Sequence, residues 1–262
     1  MKEQLQRIHA KNKDFNAGDM AGEYFGFRSD VHYDMLVVAP AWQPTKILKE
    51  MDCEVTVTAE HTYTNGYEVV MGGKRIAWMQ CASGACNLID HLLVCLDLDF
   101  DKLVFLGAVG ALKPGVQVGD VCTPVRCIAG TMADAYLLDD FRDWQPFREV
   151  RPNDPAFVEQ VIALADFPVR KAGVYCTDSI SCEYYHLDFI KGFDVDLIEM
   201  ETSSFYRLAG LMEKKAVALL AVSDNSAVGE PLLGMTEAQR DRFHQGRNIL
   251  IPRLLEKIAQ MD

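Results

Sequence analysis

The sequence predicts one α/β domain with a mixed, largely parallel central sheet flanked by helices. Short apolar runs alternate with segments of helical periodicity from residue 34 to the end, the pattern of strands joined through crossover helices. With 49% hydrophobic residues over 262 positions the chain can bury a full core. A hairpin signal around Gly72 and Gly73 makes the sheet mixed rather than wholly parallel.

The elements follow in order. Residues 1–33 are polar with scattered aromatics and read as an N-terminal helix and loop that dock on the domain or on a second subunit; residues 34–262 form the domain proper. "DMLVVAP" (34–40) is a strand, and "PTKILKEM" (44–51) a short helix begun by Pro44. "CEVTVTAE" (53–60) alternates as a half-exposed strand, and "YEVVMGGKRIAWMQC" (67–81) is the hairpin. "GACNLIDHLLVCLDL" (84–98) is helical, "KLVFLGAVG" (102–110) a buried strand and "GDVCTPVRCIAG" (119–130) another. Residues 131–153 lack periodicity and read as a loop or lid. "DPAFVEQVIALA" (154–165) is a helix with Asp154 as cap and Pro155 at its first position. "KAGVYCTDSI" (171–180), "DLIEME" (196–201) and "KAVALLAVSD" (215–224) are strands, and "TSSFYRLAGLMEK" (202–214) is a helix. A long helix, 236–260, closes the chain with a break near Pro252.

Composition narrows the functional classes. A formal net charge of −12 disfavours nucleic acid and anionic membrane as partners. The eight cysteines form no CxxC pair and the six histidines do not cluster with them, so they read as reduced, buried side chains and no metal site is expected. The polar start has no apolar core of a signal peptide, and no apolar run reaches membrane-spanning length, which points to a cytoplasmic protein. No dinucleotide fingerprint or phosphate-binding P-loop follows any strand, so no cofactor is expected and a nicotinamide-dependent oxidoreductase is remote.

Three strand ends carry chemistry. "GAVGAL" (107–112) is a glycine-rich exit, either a tight turn or a cradle for a ribose or phosphate. "IEMET" (198–202) places Glu199 and Glu201 around Met200 where a strand becomes a helix; paired acceptors can clamp a cis-diol and a thioether packs on a sugar face, while acids at a solvated helix start would look the same. "AVSDN" (221–225) carries Ser223, Asp224 and Asn225 out of an apolar strand, as a polar turn or as a catalytic acid. One helix and one strand separate the last two, and a right-handed parallel crossover would bring them to the same sheet edge.

Together these stretches resemble the purine nucleoside phosphorylase, uridine phosphorylase and methylthioadenosine nucleosidase superfamily, over roughly residues 34–262. The resemblance rests on "IEMET" with "AVSDN", on "GAVGAL" followed by "GVQVGDV", and on "CTDSI". It implies an enzyme that cleaves the N-glycosidic bond of a nucleoside, a purine favoured, with phosphate or water as acceptor. Glu201 would then bind the ribose hydroxyls, Met200 would pack on the sugar, and the Glu199 segment would help hold it. Gly107 and Ala108 would form the turn beside the sugar. Asp224 would give a proton to the leaving base, with Ser223 holding it. Tyr184, Tyr185 and His186 would lie near the base, together with Asn225. Homo-oligomers, dimers or hexamers, are implied as well, with His32 a candidate to reach a neighbour's sugar.

The sequence departs from the family on the acceptor side. Where the phosphorolytic members carry a "GDP-x-R" loop this chain has "APAWQPTK" (39–46), with Pro44 in place of the arginine. Before the glycine turn Phe105 and Ala108 replace an arginine and a hydroxyl donor, and the position of a neighbour's arginine falls near the neutral Thr62. Lys46, Lys74, Arg75 and Arg126 are candidate replacements, Glu23 and Asp34 candidate activators of water, and Arg240 and Arg242 candidate helpers of Asp224. The alternative implied by the missing arginines is a nucleoside-binding or sensing protein without phosphorolytic activity.

Overall fold

The computed structural model describes residues 1–261. Its strands are β1 (His32–Val38), β2 (Cys53–Glu60), β3 (Asn65–Met71), β4 (Lys74–Gln80), β5 (Asp99–Ala111), β6 (Val121–Ala129), β7 (Arg148–Val150), β8 (Val169–Cys176), β9 (Leu197–Glu199) and β10 (Lys215–Asn225). They form one mixed sheet in the order β10-β6-β8-β9-β5-β1-β4-β3-β2. A further pairing of β10 with β5 closes β5, β10, β6, β8 and β9 into a barrel, and β7 adds to β6. β1 runs parallel to β4 and β5, and β5 parallel to β10.

The long strands are apolar on both faces because both faces are covered. Leu36 and Val38, Leu103 and Phe105, and Ala218 and Leu220 point into one core with Leu5, Phe25, Leu88 and Phe205. Their neighbours Met35 and Val37, Val104 and Leu106, and Val217 and Leu219 point into a second core with Trp78, Ile251 and Leu255. Period-two alternation is therefore present but buried on both sides. Each such side chain contributes about 1.5–3 kcal/mol relative to exposure.

The N-terminal segment folds into helices Glu3–Phe15 and Met20–Phe25, and its Leu5 and Phe25 enter the first core of this same chain. Residues 131–153 hold more order than the sequence pattern indicated: two short 3-10 turns, Ala133–Leu137 and Phe141–Asp143, and then β7 paired antiparallel to β6. The C-terminal helix breaks ahead of Pro252. Glu237–His244 is α-helical, Gln245–Leu250 is a π-helical turn, and Ile251–Ala259 resumes the α-helix. Proline lacks the N–H and crowds the carbonyl four residues back, so the wider turn sits just before it. No helix among the described residues is long and apolar enough to cross a membrane.

One expectation of topology is corrected. β9 and β10 are not adjacent parallel strands. β5 lies between them, antiparallel to β9 and parallel to β10. Their tips still meet, because Gly110 of β5 is the register partner of both Ile198 and Asp224.

Candidate active site

The ends of β1, β4, β5, β9 and β10 and the turn after β8 surround a cavity of about 180 Å³. Ligands gather at such strand ends in α/β sheets.

On the sugar side, β9 stops at Glu199, and Glu201 stands before the helix Thr202–Met212. Glu199 is buried, and its Oε2 accepts the N–H groups of Glu201 and Thr202 at 2.7 and 2.8 Å. Its Oε1 accepts from Cys176 Sγ at 2.7 Å. Glu199 thus braces the strand-to-helix turn while still lining the cavity. Burial pushes its pKa up against hydrogen bonds that favour the anion. Glu201 accepts the Gly84 N–H and is pushed up to about 8, by burial first and by the charge of Glu199 second. Met200 lies between them on the cavity wall.

On the opposite wall, β10 carries a bulge. Val222 is the partner of Val109 and Asp224 that of Gly110, which leaves Ser223 as the extra residue. A bulge re-aims side chains, and here both Ser223 and Asp224 line the cavity. Ser223 Oγ is 2.6 Å from Asp224 Oδ1 and 3.2 Å from the Val109 carbonyl, which can take the hydroxyl proton when Asp224 is itself protonated. Burial raises the Asp224 pKa, and the serine bond offsets part of that rise.

The turn after β8 supplies a residue that the sequence reading missed. Ile180, Glu183 and Tyr184, spaced i, i+3, i+4, share one face and line the cavity. Glu183 is 8% exposed and its carboxyl makes no hydrogen bond among the described residues. Burial, then the charge of Asp224, pushes its pKa up to about 7. The helical spacing from Ile180 was the signal that would have found it.

The third wall is apolar: Pro40, Ala41, Trp42, Phe105 and Ala108. The loop after β1 spends its amides internally. Ala39 N–H donates to the Met79 carbonyl at 2.9 Å, Ala41 to Cys81 at 3.0 Å and Trp42 to Ala39 at 3.2 Å. Pro40 and Pro44 have no N–H to offer.

A family model described as the phosphorylase superfamily matches residues 43–250, most of the chain. The chain belongs to the phosphorylase superfamily. This superfamily member is 24% identical over 200 residues to a DeoD-type purine nucleoside phosphorylase of Bacillus velezensis, covering 75% of this chain and 82% of that relative. It is 29% identical over 187 residues to a protein of the same description from Brevibacillus brevis, covering 70% and 76%. In fold it is similar to a uridine phosphorylase of Vibrio fischeri, with a TM-score of 0.71 at 14% identity over 89% and 94% of the two chains. It is likewise similar to a 5'-methylthioadenosine/S-adenosyl homocysteine nucleosidase of Campylobacter jejuni, with a TM-score of 0.66 at 16% identity over 86% and 98%.

For this phosphorylase-superfamily chain the fold brings together Glu199, Met200, Glu201, Gly107, Ala108, Tyr184, Ser223 and Asp224. Three residues expected at the site lie elsewhere. Asn225 is fully buried and holds a turn, donating to the carbonyls of Lys113 and Val116 at 2.9 and 2.6 Å. Tyr185 is 89% exposed, and His186 borders a separate cavity. The bulge and the end of the helical turn direct these side chains away.

The candidate cations also lie outside the wall. Lys74 pairs with Asp34 at 2.9 Å, and Arg75 approaches Glu68 at 3.6 Å, both at the start of β4, the end away from the cavity. Arg126 pairs with Glu149 at 2.8 Å, and Lys46 is exposed. Asp34 is held by that lysine, and Glu23 lies on the helix Met20–Phe25; neither lines the cavity. Arg242 pairs with Glu230 at 2.8 Å and Arg240 with the Met235 carbonyl at 2.6 Å, so Ser223 is the hydrogen-bond partner of Asp224 instead. His32 is at the start of β1, paired with Asp99 at 2.9 Å.

Proposed function

We propose that this chain cleaves the N-glycosidic bond of a purine nucleoside and uses water, rather than phosphate, as the acceptor. One observation carries the reading. Glu183, Glu199, Glu201 and Asp224 line the cavity, with no lysine, arginine or histidine among its described lining residues.

Such a cavity disfavours a phosphate dianion, which would lose its hydration with no cation in return. The same field favours the positive charge that develops on the ribose as the bond to the base breaks. It opposes negative charge on the departing base, so that base must leave protonated. Asp224 is the donor in this reading, and burial helps it hold the proton near neutral pH. Glu201 accepts from the ribose hydroxyls and Met200 packs on the sugar. DeoD-type purine nucleoside phosphorylases among the relatives support a purine as the base.

The test is base release from a panel of purine and pyrimidine nucleosides, with phosphate absent and at increasing concentration. The expected result is release from a purine nucleoside at a rate independent of phosphate. Release that requires phosphate would overturn the choice of water. Tight nucleoside binding with no release from any of the panel would favour a sensor on this fold.

A further inference from the structure

We propose that Glu183 and the aromatic cavity behind it form the outer half of the base site, suited to a purine that carries an aromatic substituent on its exocyclic 6-amino nitrogen. This inference rests on the nucleoside reading above and deepens it.

Glu183 lines the nucleoside cavity on one side and a second cavity on the other. It is buried, and its carboxyl has no hydrogen-bond partner among the described residues. A buried acceptor without a partner costs stability unless a ligand supplies the donor. The second cavity, of about 410 Å³, is walled by Phe147, Tyr175 and Phe189. The Phe147 ring is 5.1 Å from that of Phe189 at 65°, and Tyr175 is 5.8 Å from Phe193. Phe147 holds φ at 56°, a conformation that side-chain-bearing residues rarely adopt, so the loop keeps a strained backbone while its ring faces the cavity.

The chemistry of the base joins the two halves. On a purine, N7 and the 6-substituent share one edge, and a 6-amino group there is a donor. With Asp224 at the nitrogen that takes the proton, the neighbouring carboxyl of Glu183 faces the 6-position. It accepts the remaining N–H of a secondary amine, and the substituent passes Glu183 into the aromatic cavity, where a ring packs edge to face.

The test compares adenosine, N6-benzyladenosine and N6,N6-dimethyladenosine, the last without a 6-amino N–H, by calorimetric binding and by base release. N6-benzyladenosine is expected to bind at least about tenfold tighter than adenosine, and the dimethyl compound at least about tenfold weaker than the benzyl one, as for one hydrogen bond and one ring contact. Cys182→Trp, which fills the second cavity, is expected to lower the benzyl-to-adenosine ratio, and Glu183→Leu to abolish the penalty on the dimethyl compound. Base release from adenosine with no gain for the benzyl compound would overturn this inference and leave the proposed reaction standing. Tighter binding of the benzyl compound with no base release from any riboside would do the opposite.

Discussion

Gly110 and Asp224 are register partners on β5 and β10, and a Cβ on Gly110 would lie 3.0 Å from Asp224 Oδ2. It would also lie 3.2 Å from Ile198 Cγ2, the other strand partner. The missing side chain is what lets the tips of β9 and β10 close on β5, with the acid of one facing the glutamates of the other. Gly110→Ala is therefore expected to move the Asp224 carboxyl by a few tenths of an ångström or more. Turnover should fall by about tenfold or more with little change in thermal stability, because positioning errors of this size are costly in catalysis. Steady-state kinetics beside a melting curve checks it; unchanged turnover would mean that the acid is not held by this contact.

Removing the proton itself should cost more. Asp224→Asn keeps the shape and loses the acid, and turnover is expected to drop by about 10²–10⁴-fold, the usual range for a general acid. Nucleoside affinity should survive. Ser223→Ala should have a smaller effect and raise the apparent pKa of the acidic limb, since the serine bond now favours the ionised aspartate.

Stability should depend on pH through Glu201. Its pKa rises from 4.5 to about 8 in the folded state. The folded chain therefore binds more protons than the unfolded chain between those values, and stability falls as pH rises through about 8. The contribution is fully present below the unfolded value of 4.5. At about 1.4 kcal/mol per unit it amounts to a few kcal/mol. Denaturant titrations at acidic, neutral and alkaline pH should show this slope, and Glu201→Gln should flatten it. Glu183 and Glu199 shift in the same direction and leave a residual slope.

Glu183 should make base preference depend on pH. Below about 7 its carboxyl is protonated and can donate to a 6-oxo group; above, the anion accepts from a 6-amino group and repels the oxygen. The groups that face it are Asp224 and Tyr184 in the nucleoside cavity, and Tyr175, Cys182 and His186 in the second one. The ratio of kcat/KM for adenosine over inosine is expected to rise with pH through about 7 in the wild type and to stay flat in Glu183→Gln. A slope that persists in the variant would assign it to one of those neighbours.

Much of this arrangement was legible in the sequence because local pattern determines it. The apolar runs gave the strands, and "IEMET" and "AVSDN" gave two walls of the cavity. What was not legible depends on contacts far apart in the chain. The insertion of β5 between β9 and β10 is set by pairing across more than eighty residues, as in Gly110 with Ile198, and no local pattern encodes it. The bulge at Ser223 has no glycine to mark it, and it is what sends Asn225 into the core. Glu183 was passed over for its aromatic neighbours, because composition suggests stacking whereas one helical turn decides which side chain faces inward. The acceptor side was legible as an absence of arginines; the spent amides of Ala39, Ala41 and Trp42 add the reason why the backbone does not replace them.

The central claim is that water attacks the ribose. Cleavage of a purine nucleoside in ¹⁸O-labelled water, with phosphate present in excess, tests it most directly by mass analysis of the sugar product. The account predicts free ribose carrying the label at its anomeric oxygen. Ribose 1-phosphate as the product would contradict it.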